Sequence, residues 1–302
     1  MCELMAMCFA HPVAAKFSIG AFALRDAENP DGWGLAWYDG RSLSIVKEPL
    51  SWRRSGYAEF LAGYDSLVSH MYIAHVRHAT VGGPPKHADT HPFARELDSR
   101  FYCFAHNGTI RKASERLLLE RYQPIGDTDS ERVFCAVLDA MVERHHPLAT
   151  TDDWNWLAEQ FHDINRMGKL NCILADGERL FAWHDVGGFK GLHFHGVRIG
   201  DGRVTHLEDP EMEVAVAAAT DDVNRGVVIA TCPLSDSGWH AMLPGELLVA
   251  EAGRIRFSNR RSKDRTSSSN GAVHGHTATG ARQASARKQA NAGADRCSSG
   301  TG

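Results

Sequence analysis

Ala74-His75-Val76-Arg77-His78-Ala79-Thr80-Val81-Gly82-Gly83-Pro84-Pro85 opens as an apolar run of strand character and stops in residues that cannot continue a strand. Phe104-Ala105-His106-Asn107-Gly108-Thr109 has the same design, a hydrophobic strand that leads abruptly into Asn-Gly. Neither run feeds a helix. Further short strand-like runs at 2–9, 33–39, 42–48, 101–105, 171–175, 180–184, 192–197, 214–218, 227–232 and 247–251 are separated by turn signals such as Asp39-Gly40 and Asp176-Gly177. With few helical stretches between them, a parallel βαβ sheet is disfavoured, and the pattern predicts antiparallel pairing with clustered helices, an α+β architecture.

Two helices are marked. One starts at Thr128-Asp129-Ser130-Glu131, which reads as a capping box, and carries Val133, Val137 and Met141 every four residues with Phe134 and Leu138 beside them. The other runs over 152–165, with Trp154, Leu157, Phe161 and Ile164 on one side. From Ser258 the chain turns into Ser, Gly, Ala, Arg and Thr with hardly a large apolar residue, which predicts a disordered tail over 258–302 behind one domain over 2–257.

The 302 residues carry 33 Lys and Arg against 37 Asp and Glu; eight of the former and two of the latter fall in 258–302, so the body is acidic. That charge argues against a nucleic-acid surface. No run of about 18 apolar residues occurs, and Met1-Cys2-Glu3-Leu4-Met5-Ala6-Met7 lacks the basic start of a secretory signal, so we expect a cytoplasmic protein with no membrane contact. Seven cysteines without a C-x-x-C pair suggest neither a disulfide framework nor a thiolate zinc site. Of the 17 histidines only His193 and His195 alternate on one strand face, and no third ligand accompanies them, so neither a metal nor any other cofactor is expected.

Four places could carry chemistry, and each has a plainer alternative. A chain that loses Met1 would begin at Cys2 with a thiol and a free α-amine in one residue, the amine titrating at roughly 7.7–8.0 and able to serve as base for its own nucleophile; otherwise Cys2 only opens a strand. Arg77, near a strand end, could grip a carboxylate with two parallel hydrogen bonds or could cover a strand edge. Asn107 and Gly108 offer the side-chain and backbone donors of an oxyanion hole, or an ordinary hairpin turn. Asp129, in the first turn of the capped helix, could receive a substrate ammonium or only favour the helix dipole.

The order of these signals is more specific than any of them. A second-position Cys, then Arg77-His78-Ala79-Thr80, then His106-Asn107-Gly108, then Asp129-Ser130-Glu131 opening a helix resembles the stand-alone branch of the type 2, or N-terminal-nucleophile, glutamine amidotransferases, a branch that includes the γ-glutamyl hydrolase of ergothioneine biosynthesis. Asp31-Gly32-Trp33-Gly34, Thr90-His91-Pro92-Phe93, Thr231-Cys232-Pro233-Leu234 and Leu243-Pro244-Gly245-Glu246-Leu247 agree with it, and the resemblance covers about 2–257. It implies a four-layer αββα sandwich of two mainly antiparallel sheets. Carried over residue by residue, it makes Cys2 nucleophile and base, Arg77 the binder of the substrate α-carboxylate, Asp129 that of its α-ammonium, and Asn107 with Gly108 the oxyanion hole. The implied substrate is glutamine or a γ-glutamyl conjugate, with an ammonia-accepting synthetase as a partner. His78 and Val81 depart from the family's usual bulky aromatic and His. A non-catalytic sensor of glutamine-like ligands or a partner subunit on the same fold, and a histidine-based metallohydrolase, are the alternatives.

Overall fold

The computed structural model describes residues 3–17, 31–64, 67–77, 85–145, 147–200, 205–209, 212–218, 223–234 and 237–260. Expectations for Cys2, His78, Val81 and the tail beyond Arg260 lie outside these residues. Strands β1 (Glu3–Phe17), β2 (Gly32–Asp39), β3 (Ser42–Glu48) and β4 (Val68–Arg77) form one sheet with β9 (His193–Ile199), β10 (Thr205–Asp209), β11 (Met212–Ala218), β12 (Asn224–Ala230) and β13 (Trp239–Ala241). A second sheet holds β5 (Phe93–Leu97), β6 (Arg100–Ile110), β7 (Gly168–Ala175), β8 (Arg179–Trp183), β14 (Leu247–Glu251) and β15 (Arg254–Ser258), in the order β15-β14-β8-β7-β6-β5. The strand pairs recorded are antiparallel, as expected.

Side-chain alternation assigns three apolar layers. Met5, Met7, Trp33, Tyr72 and Val228 face outward from the first sheet onto Trp52 and helix α1 (Gly56–Gly63). Leu4, Ala6, Ala36, Met71 and Ile73 meet Cys103, Ala105, Ile173 and Ala182 between the sheets. Phe104, Leu174, Phe181 and Val249 face outward from the second sheet. After the short α2 (Ala113–Arg116) in the chain, the long helices α3 (Asp129–Arg144) and α4 (Thr151–Asn165) cover that face through Val133, Phe134, Val137, Leu138, Leu157 and Phe161. The result is the expected α, β, β, α stack.

Three details differ. β1 continues through Pro12 to Phe17 because a register shift between Cys8 and Val13 absorbs the proline. The Thr128 hydroxyl caps α3 by accepting from Glu131 N at 3.2 Å, but Glu131 does not return the bond: its carboxylate takes Gly126 N at 2.7 Å and Arg95 at 2.5 Å. The compact unit also ends later than 257, because β15 includes Ser258, Asn259 accepts from Leu247 N at 2.8 Å, and Arg260 Nε donates to Gly245 O at 3.2 Å.

Candidate active site

Arg77 is the last residue of β4, opposite Gly32 of β2. Two strands away from β2 in the same sheet, Glu3 opens β1 opposite Val76, so the start of β1 and the end of β4 share one edge of the inter-sheet layer. The strand period puts His75 and Arg77 on the face of Met71 and Ile73, which is that layer. On the second sheet, Asn107 shares the face of Cys103 and Ala105, is buried, and lies opposite Asn171 of β7. Asn107-Gly108 is therefore no hairpin turn: β6 runs through it to Ile110. Gly108 is required by close approach, since a Cβ there would collide with the Lys169 carbonyl and the His106 ring.

Asp129 is the first residue of α3, as predicted, and it is bonded to the sheet. Its Oδ2 accepts from Ile110 N at 2.5 Å, and its Oδ1 accepts from Ser130 N at 2.9 Å. His106, on the outer face of β6, completes the link: Nδ1 lies 2.8 Å from Ser130 Oγ and Nε2 lies 3.1 Å from Lys169 O. A neutral ring that donates from Nε2 to the carbonyl and accepts the serine hydroxyl at Nδ1 satisfies both contacts. Burial lowers the His106 pKa, against the opposing pull of the Asp129 charge.

Two further buried histidines adjoin this end, and sequence reasoning did not give them a role. His75 and His91 have ring centroids 4.2 Å apart, and His91 leans on Phe93 at 4.6 Å. Their four ring nitrogens are buried without hydrogen-bond partners. Burial, with the charges of His106, Arg77 and Lys190, pushes His75 down to about 3; burial and the neighbouring His75, His106, Lys47 and Arg77 push His91 down as well. Arg77 follows His75 by two residues on the same face of β4. Gly34 makes this ring contact accessible: a Cβ at that position would strike His91 O and Pro92, so the chain before β5 can lie against β2 only over a glycine. The two sequence segments Asp31-Gly32-Trp33-Gly34 and Thr90-His91-Pro92-Phe93 are thus one packing unit, fastened by Lys47 Nζ, which donates to Thr90 O at 2.6 Å and Pro92 O at 3.2 Å. Burial holds the Lys47 pKa down at about 8.

The remaining candidates go elsewhere. His193 and His195 engage the carbonyls of Thr231 and Gly238 at 3.3 and 2.6 Å, and no cluster of three metal-ligating side chains occurs among the described residues. Cys8, Cys103, Cys135 and Cys172 are buried free thiols. Burial raises the pKa of Cys8 to about 11 and that of Cys103 further, so these thiols are poor nucleophiles. Cys232 is disulfide-bonded, which the cysteine spacing did not foretell. No helix among the described residues is long and apolar enough to cross a membrane.

Comparison with known proteins bears on the family and the fold. The family model of the class-II glutamine amidotransferases matches residues 1–273. An uncharacterised protein of Methanocaldococcus jannaschii is 36% identical over 87% of this chain and 73% of its own length, and YafJ of Escherichia coli is 30% identical over 82% and 96%. A γ-glutamyl-hercynylcysteine sulfoxide hydrolase of Mycobacterium tuberculosis is 29% identical over 52% of this chain and 61% of its own. Among solved structures, a predicted glutamine amidotransferase from Pseudomonas aeruginosa PA01 superposes with a TM-score of 0.67 at 28% identity, covering 84% of this chain and 99% of that one. The glutamine phosphoribosylpyrophosphate amidotransferase of B. subtilis shares the fold, with a TM-score of 0.54 at 17% identity over 86% of this chain and 49% of that one.

Proposed function

This chain belongs to the class-II glutamine amidotransferase family, and from that premise we propose that it cleaves the γ-amide of glutamine or of a γ-glutamyl conjugate through Cys2. What supports the reading is that Arg77 ends β4 beside the start of β1, that Asn107 faces the inter-sheet layer with Gly108 next to it on β6, and that Asp129 accepts from Ile110 N at the end of the same strand. Cys2 directly precedes Glu3, the first residue of β1.

On this reading the α-amine of Cys2 takes the thiol proton and the thiolate attacks the γ-carbonyl. The oxyanion is held by the Asn107 side chain and the Gly108 N–H, amine or ammonia leaves, and water releases glutamate from the thioester. Arg77 binds the α-carboxylate as a planar fork. Asp129 binds the α-ammonium: each of its oxygens already accepts one backbone N–H and keeps a further lone pair. Burial pushes the pKa values of His75, His91 and His106 below the ordinary histidine value. The catalytic unit is 2–260, and released ammonia is handed to a synthetase partner or to solvent.

The test is a panel of free glutamine and γ-glutamyl amides with glutamate detection, alongside intact-mass analysis. Active protein should lack Met1, and a glutamine-analogue electrophile should add once, at Cys2. Full activity in protein that retains Met1 would falsify the mechanism; ligand binding without glutamate release would mark a sensor on the same fold.

A further inference from the structure

Glu3 follows Cys2 directly and is buried, with 9% exposure. The Thr231 hydroxyl donates to its Oε2, and Lys190 Nζ lies 3.8 Å from its Oε1. Both partners are themselves fixed. Thr231 N donates to Leu4 O at 3.0 Å and Leu4 N donates to Thr231 Oγ1 at 3.2 Å, so Thr231 fastens the end of β12 to the first residues of β1. Lys190 belongs to the loop after β8, and its carbonyl accepts Asn171 Nδ2 at 3.1 Å, directly across the β6–β7 ladder from Asn107. That loop is gathered by Asp185, whose carboxylate accepts Leu170 N at 2.9 Å, Gly187 N at 2.8 Å and Phe189 N at 3.1 Å.

A buried carboxylate and ammonium cost more to desolvate than an apolar pair of equal size, so such a pair serves placement better than stability. Glu3 is the point where three elements meet: the start of β1, the end of β12 and the loop braced on β7, the strand paired with the one that carries Asn107. We propose that Glu3 is a positioning residue for the N-terminal nucleophile, its carboxylate held between Thr231 and Lys190 so that the start of β1 is set against Asn107 and charge at the Cys2 α-amine is balanced. The inference rests on the reading of Cys2 as nucleophile. The titratable and charged groups around that edge, among the described residues, are His75 and Arg77 of β4, Lys190, His193 of β9 and Asp129 of α3, with Glu3 the acidic group adjacent in the chain; Cys232 after β12 is disulfide-bonded and does not titrate.

The sign of the effect follows from the amine having to be neutral to act as base. Glu3 favours the ammonium form and Lys190 disfavours it. In reducing buffer, Glu3→Gln should therefore move the acid limb of kcat/KM for glutamine to lower pH by about half a unit to one unit, and should lower kcat about tenfold while KM changes less than about twofold. Lys190→Met should move the limb to higher pH, and the double variant should return it towards the parent position. A purely structural role would lower activity without moving the limb. An acid limb that stays in place in both single variants, or moves with the opposite sign, overturns the proposal; if Glu3→Gln does not fold, Lys190→Met decides it alone. Labelling with the electrophile separates this from the premise. Absence of a Cys2 adduct in the parent protein overturns the nucleophile reading and the inference with it, whereas a Cys2 adduct with an unmoved limb overturns the inference only.

Discussion

Helices α3 and α4 lie on the same sheet face and start from similar sequences, Thr128-Asp129-Ser130-Glu131 and Thr150-Thr151-Asp152-Asp153, yet their first turns are spent differently. At α4 the box closes on itself: Asp153 N donates to Thr150 Oγ1 at 3.3 Å, and Asp153 Oδ2 accepts Thr150 N at 2.8 Å. At α3 only the threonine half forms. Asp129 bonds to Ile110 N of β6, Ser130 to His106, and Glu131 to Gly126 and Arg95. A helix end whose acids serve the helix is a stability element, and one whose acids serve a neighbouring strand is a place where function can be built.

The contrast can be broken most sharply on the strand that α3 supports. Asn107→Ala should cut kcat by about 10²–10³-fold with KM little changed, as loss of one oxyanion donor does elsewhere. Steady-state glutamate release checks this, and an unchanged kcat would remove Asn107 from the site.

Asp129→Asn should raise KM about 10–100-fold, the loss of one charge-assisted hydrogen bond to an ammonium. Competition by glutamine analogues lacking the α-amine sharpens the point. They should bind the variant and the parent about equally.

An acid titration comes next. His75, His91 and His106 are pushed below their ordinary values in the folded protein, so the unfolded chain binds more protons once pH drops through about 6.5. Stability then rises with pH in that window and falls as pH drops, by about 1.4 kcal/mol per unit for each such histidine. Denaturant melts at pH 7, 6 and 5 should show this slope, and His75→Phe should flatten it. Hydrogen exchange should place the early opening at the α3 end and not at α4.

The smallest effect belongs to α4. Thr150→Ala should cost about 1 kcal/mol of stability and leave glutamate release unchanged. A loss of activity there would erase the distinction between the two helix ends.

Alternation and turn chemistry made the two sheets legible, because each buried face repeats every second residue. Arg77 at a strand end and Asp129 in a first turn follow from local rules of the same kind. The packing of His91 on His75 was not legible: it depends on Gly34, fifty-seven residues before His91, leaving room for a backbone. Nor was the diversion of Glu131, since a capping signature specifies which groups can bond and not what competes for them. The strand β13 of three residues and the turn into β15 carry too few apolar positions to show a period.

The later end of the compact unit has a consequence for how the protein can be cut. β15 is the outermost strand of its sheet, the side on which unpaired backbone groups invite another chain to add itself. Asn259 and Arg260 fold back onto Leu247 and Gly245 and so close the corner where that border begins. A stop codon after Phe257 would strip this latch and leave a ragged rim prone to self-association, whereas one after Arg260 would keep the seam intact. Three residues therefore separate a closed border from a sticky one.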